Sequence, residues 1–345
     1  MSFVRRGFLA AGASALGSAA IVRSARAASF QLKVADSFPP AHNIPNHGTR
    51  WWMARIEELT NGAVKFQYFG AEQIGKLKDM LSLAQRGVAD IAYVPPTFNE
   101  GRMPLSTVHN MPNLFESSYV GSLAFYETTL NTRILQEDYL RNGIRPLWGV
   151  MTSPYNVFTR SKPIRRVADL QGMKLKTAGS YQNDIARLLG AVPVDIPSPE
   201  TYQAMQLGTV DGAIFPTSAA VSYRMDEVAK HYTVGFNATV FYAPYVMATR
   251  TWDRLPADVR QAFETANREV NVRMSKYFDD IDRDLVERYR KAGVEILELS
   301  AEERKEVDRR LAPMFDTWVR DMESKKLPGA ETLAYYRRAI AAVPA

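Results

Sequence analysis

Residues 164–216 constrain the fold more than any other stretch, because three short apolar runs alternate there with two amphipathic segments. The apolar runs are strand candidates at residues 173–177, 192–196 and 210–214. The segments between them have helical spacing, and Gly190 and Gly208 mark their ends. The order β-α-β-α-β predicts parallel strands with right-handed crossovers. In such sheets, ligands bind beyond the carboxyl ends of the strands.

A second unit of the same order lies in the N-terminal half. Its strand candidates are residues 30–35, 64–69 and 89–94. Its helix candidates are residues 49–59 and 77–85. Two such units in one chain predict two α/β lobes rather than one long sheet.

Three further segments describe how the lobes connect. Residues 147–156 are typical of a strand that crosses from the first lobe to the second, and residues 240–248 of a strand that returns. A lobe that is entered and left by extended strands indicates a hinge. Residues 256–293 carry apolar side chains every three or four positions, which predicts one helix on the order of 50 Å long. Such a helix exceeds one lobe and is expected to brace both.

Several motifs in this chain occur in one characteristic order. They are G-x-x-Q-x-G from Gly70, D-L-x-G-M-K-L-K from Asp169, G-A-V-P-V-D-I-P from Gly190 and E-x-Y-x-A-x-Q-x-G-x-V-D-G from Glu200. This pattern resembles the solute-binding proteins of TRAP transporters, the DctP-like family, over roughly residues 30 to 330. The resemblance implies a two-lobed, periplasmic-binding-protein-like α/β fold, with crossing strands and a long helix that braces both lobes.

The expected division of the chain follows from the units and the resemblance together. An export signal is expected at residues 1–28, and a C-terminal helix at residues 332–345. The expected first lobe is residues 29–153 plus 242–281, and the expected second lobe is residues 154–241 plus 282–331.

The N-terminus has the features of an export signal. Arg5 and Arg6 precede a run of small apolar residues, and Ala25-Arg26-Ala27 offers an A-x-A cleavage site. The paired arginines favour the twin-arginine route and a periplasmic location. The alternative is an uncleaved membrane anchor, but the run is short and rich in Gly, Ser and Ala for a bilayer span.

The charge balance argues against nucleic acid as a partner. The first 28 residues contain four arginines and no acidic residue. The remainder therefore has 39 basic and 37 acidic residues, a formal charge of about +2. There is no cysteine, which excludes a thiolate nucleophile, thiolate metal ligands and disulfides.

The sequence lacks familiar catalytic patterns. Its four histidines form no H-E-x-x-H pair, and there is no G-x-S-x-G motif and no P-loop. The acidic run at residues 279–282 is interpreted as a solvated helix flank. We therefore expect no catalytic residue, no metal and no cofactor.

The resemblance directs attention to one position as the ligand anchor. Most members of the family hold a ligand carboxylate with an arginine at the end of the G-x-K-[LI]-R strand, and this sequence has Lys176 there. Lysine lacks the bidentate fork of arginine but still pairs with a carboxylate. The alternative is that Lys176 faces solvent and that the anchor lies elsewhere.

Six other residues are candidates for ligand contact, either by position in the family pattern or by their place at strand ends and turns. They are Phe215, Asn156, Tyr93, Gln73, Thr97 and Tyr242. Phe215 offers an apolar wall, with a core position as the alternative. Asn156 falls about where many members carry a second arginine, so a dianionic ligand is disfavoured. Tyr242 and Tyr245 both lie on the returning strand, and the sequence does not decide between them.

The resulting prediction is a periplasmic receptor, monomeric, that captures a small organic solute, organic or aromatic monocarboxylates being favoured. It would deliver the solute to the membrane permease subunits of a TRAP transporter. One alternative is a secreted α/β hydrolase-like enzyme. Another is a ligand-binding module that feeds a sensor protein.

Overall fold

The computed structural model describes residues 30–344, so the expected export signal lies outside the described residues. The strands are β1 (Phe30–Ala35), β2 (Val64–Phe69), β3 (Ile91–Tyr93), β4 (Ile144–Met151), β5 (Tyr155–Thr159), β6 (Lys174–Thr177), β7 (Val192–Asp195), β8 (Gly212–Pro216), β9 (His231–Val234), β10 (Tyr242–Ala248) and β11 (Glu295–Glu298). The α-helices are α1 (Arg50–Leu59), α2 (Met80–Arg86), α3 (Ser118–Asn131), α4 (Gly179–Leu188), α5 (Thr201–Leu207), α6 (Thr217–Ala220), α7 (Met225–Val228), α8 (Thr249–Asp253), α9 (Ala257–Lys291), α10 (Ala301–Leu311), α11 (Pro313–Ser324) and α12 (Gly329–Ala342).

The strands form two separate sheets, as the two α/β units predicted. The first sheet has the order β2-β1-β3-β10-β4, and the second has the order β11-β9-β5-β8-β6-β7. Strand β10 runs antiparallel to its neighbours in the first sheet, and β5 does so in the second. The two-lobed α/β architecture is therefore confirmed, while the residue boundaries assigned to each lobe stay predictions.

The central strands β5 and β8 of the second sheet are buried on both faces because helices cover both sides. Alternate side chains of a strand point to opposite faces. On β8, Ile214 is buried in one cluster with Ile185 of α4, and Phe215 is buried in another with Met205 of α5. This explains why β8 is a continuous apolar run.

Helix α9 is the single long helix expected from the sequence, and it contacts both lobes. It has 35 residues. In the first lobe, Trp52 Nε1 donates to Asn267 Oδ1 over 2.9 Å. In the second lobe, the Tyr289 hydroxyl donates to the Thr217 carbonyl oxygen over 2.7 Å. The brace predicted from its length is confirmed. No helix within residues 30–344 is long and apolar enough to cross a bilayer.

The crossing between the lobes differs from the prediction. The segment expected as one strand is divided into β4, which pairs in the first sheet, and β5, which pairs in the second. Thr152, Ser153 and Pro154 separate them. A strand cannot keep pairing while it changes sheets, and Pro154 has no N–H to donate. The helical segment after β11 is likewise divided, because Pro313 begins a separate helix, α11.

The acidic run of α9 is not simply a solvated flank, so that interpretation was wrong for Asp279. Its carboxylate accepts hydrogen bonds from the Ser117 hydroxyl (2.7 Å), Ser118 N (2.6 Å) and Tyr119 N (2.9 Å). These donors are at the N-terminus of α3, where backbone N–H groups have no partner within the helix. An acidic side chain there also interacts favourably with the helix dipole. Asp279 thus ties α9 to the first lobe.

We expect Asp279→Ala to lower the free energy of unfolding by about 1–2 kcal/mol, because a helix cap is lost. Asp280→Ala is the matched control, since its side chain is exposed, and its effect should stay within about 0.5 kcal/mol. Urea unfolding followed by circular dichroism measures both. Equal effects of the two substitutions would contradict the capping role.

Candidate ligand-binding site

A small cavity of about 40 Å³ lies between the two lobes. The first lobe contributes the loop after β1 and the end of β3. The second lobe contributes the end of β8 and the segment that follows it. The lining residues are Ser37, Phe38, His42, Ile44, Leu77, Tyr93, Phe98, Thr152, Tyr155, Ser198, Pro199, Phe215, Pro216, Ala219, Tyr223, Phe241 and Ala243.

The described lining residues include no Asp, Glu, Lys or Arg. Most of the wall is aromatic or aliphatic, and its polar groups are hydroxyls and one imidazole. Apolar walls with a few placed polar groups are typical of small-molecule sites. Without a lining charge, the cavity favours a ligand that is mainly apolar.

Three lining tyrosines remain neutral hydroxyl donors. Burial raises the pKa of Tyr93 well above its ordinary value, and the neighbouring Tyr223 and Tyr155 raise it further. Burial likewise raises the pKa values of Tyr155 and Tyr223. A phenol in this state both donates and accepts hydrogen bonds. The three side chains therefore provide polar contacts without a charge.

A buried carboxylate holds the loop after β1 in place. Asp36 accepts hydrogen bonds from the Tyr245 hydroxyl (2.6 Å), the Tyr68 hydroxyl (2.8 Å) and Phe38 N (3.1 Å). Burial raises the pKa of Asp36 to about 6, although these donors oppose the shift. The network fixes the backbone from which Phe38 and His42 reach the cavity.

Two of the residues predicted from the sequence line the cavity, and a third lies next to it. Tyr93 and Phe215 are in the wall and are almost fully buried. Lys176 is not in the wall, but its Nζ lies 4.9 Å from the centre of the Phe215 ring. Registry explains this contact, because Lys176 is paired with Ala213, two residues before Phe215 on the same face.

Lys176 does not face solvent, which was the alternative interpretation. Only 1% of the residue is exposed. Burial lowers its pKa to about 7, and Asp195 opposes that shift. Among residues 30–344, no carboxylate lies within ion-pair distance of Nζ. The Phe215 ring provides a cation–π contact for the ammonium.

The other four predicted residues do not line the cavity. The Asn156 side chain bonds instead to Phe236 N and the Tyr232 hydroxyl. Tyr242 packs against Phe125 in the first-lobe core, with ring centres 4.7 Å apart. Gln73 is exposed in a turn, and Thr97 is buried beside the wall residue Phe98. Their roles in ligand binding stay predictions, and these contacts do not favour them.

The sequence did not identify several wall residues. Tyr155, Tyr223 and Phe241 line the cavity, and none of them was among the candidates. His42 lines it too, although the sequence favours a structural hydrogen-bonding role for this loop histidine, with a place in the cleft as the alternative. Phe241 and Ala243, on either side of Tyr242, line the cavity, whereas Tyr242 does not. Successive side chains of an extended segment point to opposite faces, so the neighbours of Tyr242 face the cavity when Tyr242 faces the core.

The lobes also meet outside the cavity. Ser180 N, at the start of α4, donates to Glu100 Oε1 over 3.2 Å, and the Ser180 hydroxyl donates to the other carboxylate oxygen. Gly179 beside it has φ +78°, and a Cβ there would lie 2.8 Å from Thr97 Cγ2. Asn43 Nδ2 donates to the Ser218 carbonyl oxygen over 2.9 Å on another side of the cleft. These contacts hold the cleft closed.

The sequence and fold are similar to known binding proteins. The chain matches the family profile described as "Bacterial extracellular solute-binding protein, family 7" (DctP) over residues 36–321. The C4-dicarboxylate-binding periplasmic protein DctP of Rhodobacter capsulatus is 29% identical over 298 residues, which are 84% of this chain and 86% of that protein.

Two solved structures show the same fold. A TRAP solute-binding protein of Rhodoferax ferrireducens T118 in complex with copurified benzoate superposes with a TM-score of 0.83 at 24% identity, covering 91% of this chain and 98% of that one. A second TRAP periplasmic solute-binding protein from Rhodoferax ferrireducens, with bound malonate, gives a TM-score of 0.77 at 26% identity, covering 90% and 98%.

Glu100→Ala is expected to speed ligand release about tenfold or more, because it removes two hydrogen bonds to a carboxylate that form only across the closed cleft. The association rate should change little, since Glu100 is not in the cavity wall. Stopped-flow measurement of the protein's intrinsic fluorescence, with a ligand found by thermal-shift screening, measures both rates. Glu127→Ala, an exposed residue on α3, is the control. Unchanged release from Glu100→Ala would rule out a closing contact.

Proposed function

Because this chain belongs to the DctP family of bacterial extracellular solute-binding proteins, we propose that it is the periplasmic receptor of a TRAP transporter for a small aromatic monocarboxylate. The observation that carries the choice of ligand is the uncharged, mainly apolar wall, rich in aromatic side chains, with one buried ammonium beside it. Aromatic side chains in the wall would stack favourably against an aromatic ring of the ligand. A single carboxylate is matched by the single lysine.

The burial of Lys176 supports its role as the anchor. An isolated buried ammonium is costly, and its pKa falls until the neutral amine competes. A ligand carboxylate beside Nζ compensates that cost and restores the charged form. The same balance disfavours a dianion, whose second carboxylate would have no cation among the described wall residues.

The partners and location belong to the same proposal. Residues 1–28 act as a twin-arginine export signal that delivers the mature monomer to the periplasm. The closed receptor then presents its ligand to the membrane permease subunits. Hinge movement about the break between β4 and β5 opens and closes the cleft.

A comparison of benzoate with malonate tests the proposed ligand class. Benzoate should stabilise the protein by about 2.7 kcal/mol at 100 times its Kd, and malonate should not. Thermal unfolding of the purified mature chain measures the shift, and mass spectrometry checks that released benzoate is chemically unchanged. Stabilisation by malonate alone would contradict the ligand class, and turnover of benzoate would contradict a receptor.

The affinity for benzoate should depend on pH through Lys176. Binding beside a carboxylate raises the lysine pKa, so binding takes up a proton wherever the free amine is partly neutral. Affinity should be highest below the free pKa of about 7 and should fall up to about tenfold per pH unit above it. Calorimetry in buffers of different ionisation enthalpy reports the proton uptake.

Substitution of Lys176 separates this effect from other titrations. Lys176→Met should weaken benzoate binding by tenfold or more, since truncating one partner of a buried charge pair costs about 2–5 kcal/mol. It should also abolish the pH dependence. Lys176→Arg keeps the charge at all accessible pH values and should bind without the decline above pH 7 if the larger fork fits. A wild-type pH profile in Lys176→Met would exclude Lys176 as the anchor.

A further inference from the structure

His42 is held in a single orientation at the cavity wall. It lies in the loop after β1, and 3% of the residue is exposed. Its ring stacks on Phe38 with centres 4.3 Å apart and planes 25° apart. The edge of the Tyr223 ring lies on another side, with centres 5.7 Å apart. Packing on two sides therefore fixes the plane of the imidazole.

The position of the imidazole proton is also fixed. Ile44 N donates a hydrogen bond to His42 Nδ1 over 3.1 Å. A ring nitrogen that accepts carries no proton, so the neutral ring has its proton on Nε2. Burial lowers the pKa of His42 to about 3, which keeps the ring neutral near neutral pH. Nε2 is consequently a permanent donor.

This donor is not used within the protein. None of the hydrogen bonds among residues 30–344 involves His42 Nε2, whereas both ring nitrogens of His231 are bonded. His109, also buried, donates from Nδ1 to the Ser106 carbonyl oxygen and so has the opposite tautomer. Unlike Nε2 of His109, which is fully enclosed and has no partner, Nε2 of His42 keeps some accessible surface at the cavity wall. A ligand oxygen in the cavity would give this donor its acceptor.

The positions of the two polar anchors relate this donor to the ligand. Lys176 and Phe215 belong to strands of the second sheet, and His42 belongs to a loop of the first lobe. They therefore approach the cavity from opposite lobes. A carboxylate pairs more strongly with the ammonium than with a neutral imidazole. The other end of the same ligand then faces His42.

We propose that His42 Nε2 donates a hydrogen bond to a ligand oxygen remote from the carboxylate, and so makes the receptor select hydroxy- or oxo-substituted aromatic acids. This inference rests on the proposed function and specifies its substrate. Sites with a buried hydrogen-bonding group reject analogues that leave the group unpaired far better than apolar pockets reject an extra group. His42 is thus a specificity-determining residue.

Two substitutions separate the donor from the turn that holds it. His42→Asn keeps an acceptor two residues before Ile44 N, as in an Asx-turn, but has no group at the Nε2 position. His42→Gln places an amide N–H about where Nε2 lies and loses the turn acceptor. Thermal unfolding without ligand should therefore leave His42→Asn near the wild type. His109→Asn controls for loss of a buried histidine away from the cavity.

The ligands for the test are 3- and 4-hydroxybenzoate, each paired with the methylbenzoate of the same substitution pattern. The pairs are nearly equal in size and differ in the acceptor oxygen. By calorimetry, the wild type should bind one hydroxy isomer at least about tenfold more tightly than its methyl partner. The ratio should fall to about twofold or less in His42→Asn, persist in part in His42→Gln, and stay at the wild-type value in His109→Asn.

A spectroscopic measurement does not depend on any ligand. Nitrogen-15 chemical shifts of the histidine rings should show a protonated Nε2 and a bare Nδ1 for His42, and the reverse for His109. The Nδ1–H tautomer or an imidazolium at His42 would overturn the inference. Binding of all four benzoates without a hydroxyl preference would overturn it while leaving the proposed function intact. Failure of every benzoate to bind would overturn both.

Discussion

Both lobes are attached to one helix, and that attachment determines where the lobes meet. Helix α9 bonds to Trp52 in the first lobe and caps α3 through Asp279. Its Tyr289 donates a hydrogen bond to Thr217 of the second lobe. A 35-residue helix is stiff enough to act as a common frame. In the proposed hinge, movement between the lobes is concentrated at the strand breaks, of which Thr152 to Pro154 is one. The cavity lies between the two lobes that this helix connects.

Desolvation determines the chemistry of that cavity. A charged side chain in the wall would need a permanent partner of opposite charge. The described wall residues include no Asp, Glu, Lys or Arg. The polar side chains that remain are phenols, the hydroxyls of Ser37, Thr152 and Ser198, and one neutral imidazole. These groups retain hydrogen-bonding capacity at a lower cost than a charge. The ammonium of Lys176 is not in the wall but lies over the ring of the wall residue Phe215. Charge recognition and shape recognition are thus divided between neighbouring side chains.

The two buried charged groups near the cavity, Asp36 and Lys176, differ in how fully the protein satisfies them. Burial raises the pKa of Asp36 to about 6 and lowers that of Lys176 to about 7, yet the two groups have different surroundings. Asp36 has three donors within the protein, so its network is complete without a ligand. Lys176 has only the Phe215 ring against its ammonium and the carboxylate of Asp195 beyond ion-pair distance. A group that is fully satisfied within the protein supports the site, and a group left incompletely satisfied is available to a ligand.

The sequence by itself determined the architecture, because strand and helix periodicity, turn glycines and the length of residues 256–293 are local properties. It also identified Tyr93 and Phe215, which follow from their positions near strand ends. Only the tertiary structure decided that Tyr242 packs in the core while Phe241 faces the cavity, and that Asn156 serves the backbone. It also brought His42 and Tyr223 together from opposite lobes. Such pairings depend on registry and lobe closure, which no local pattern encodes.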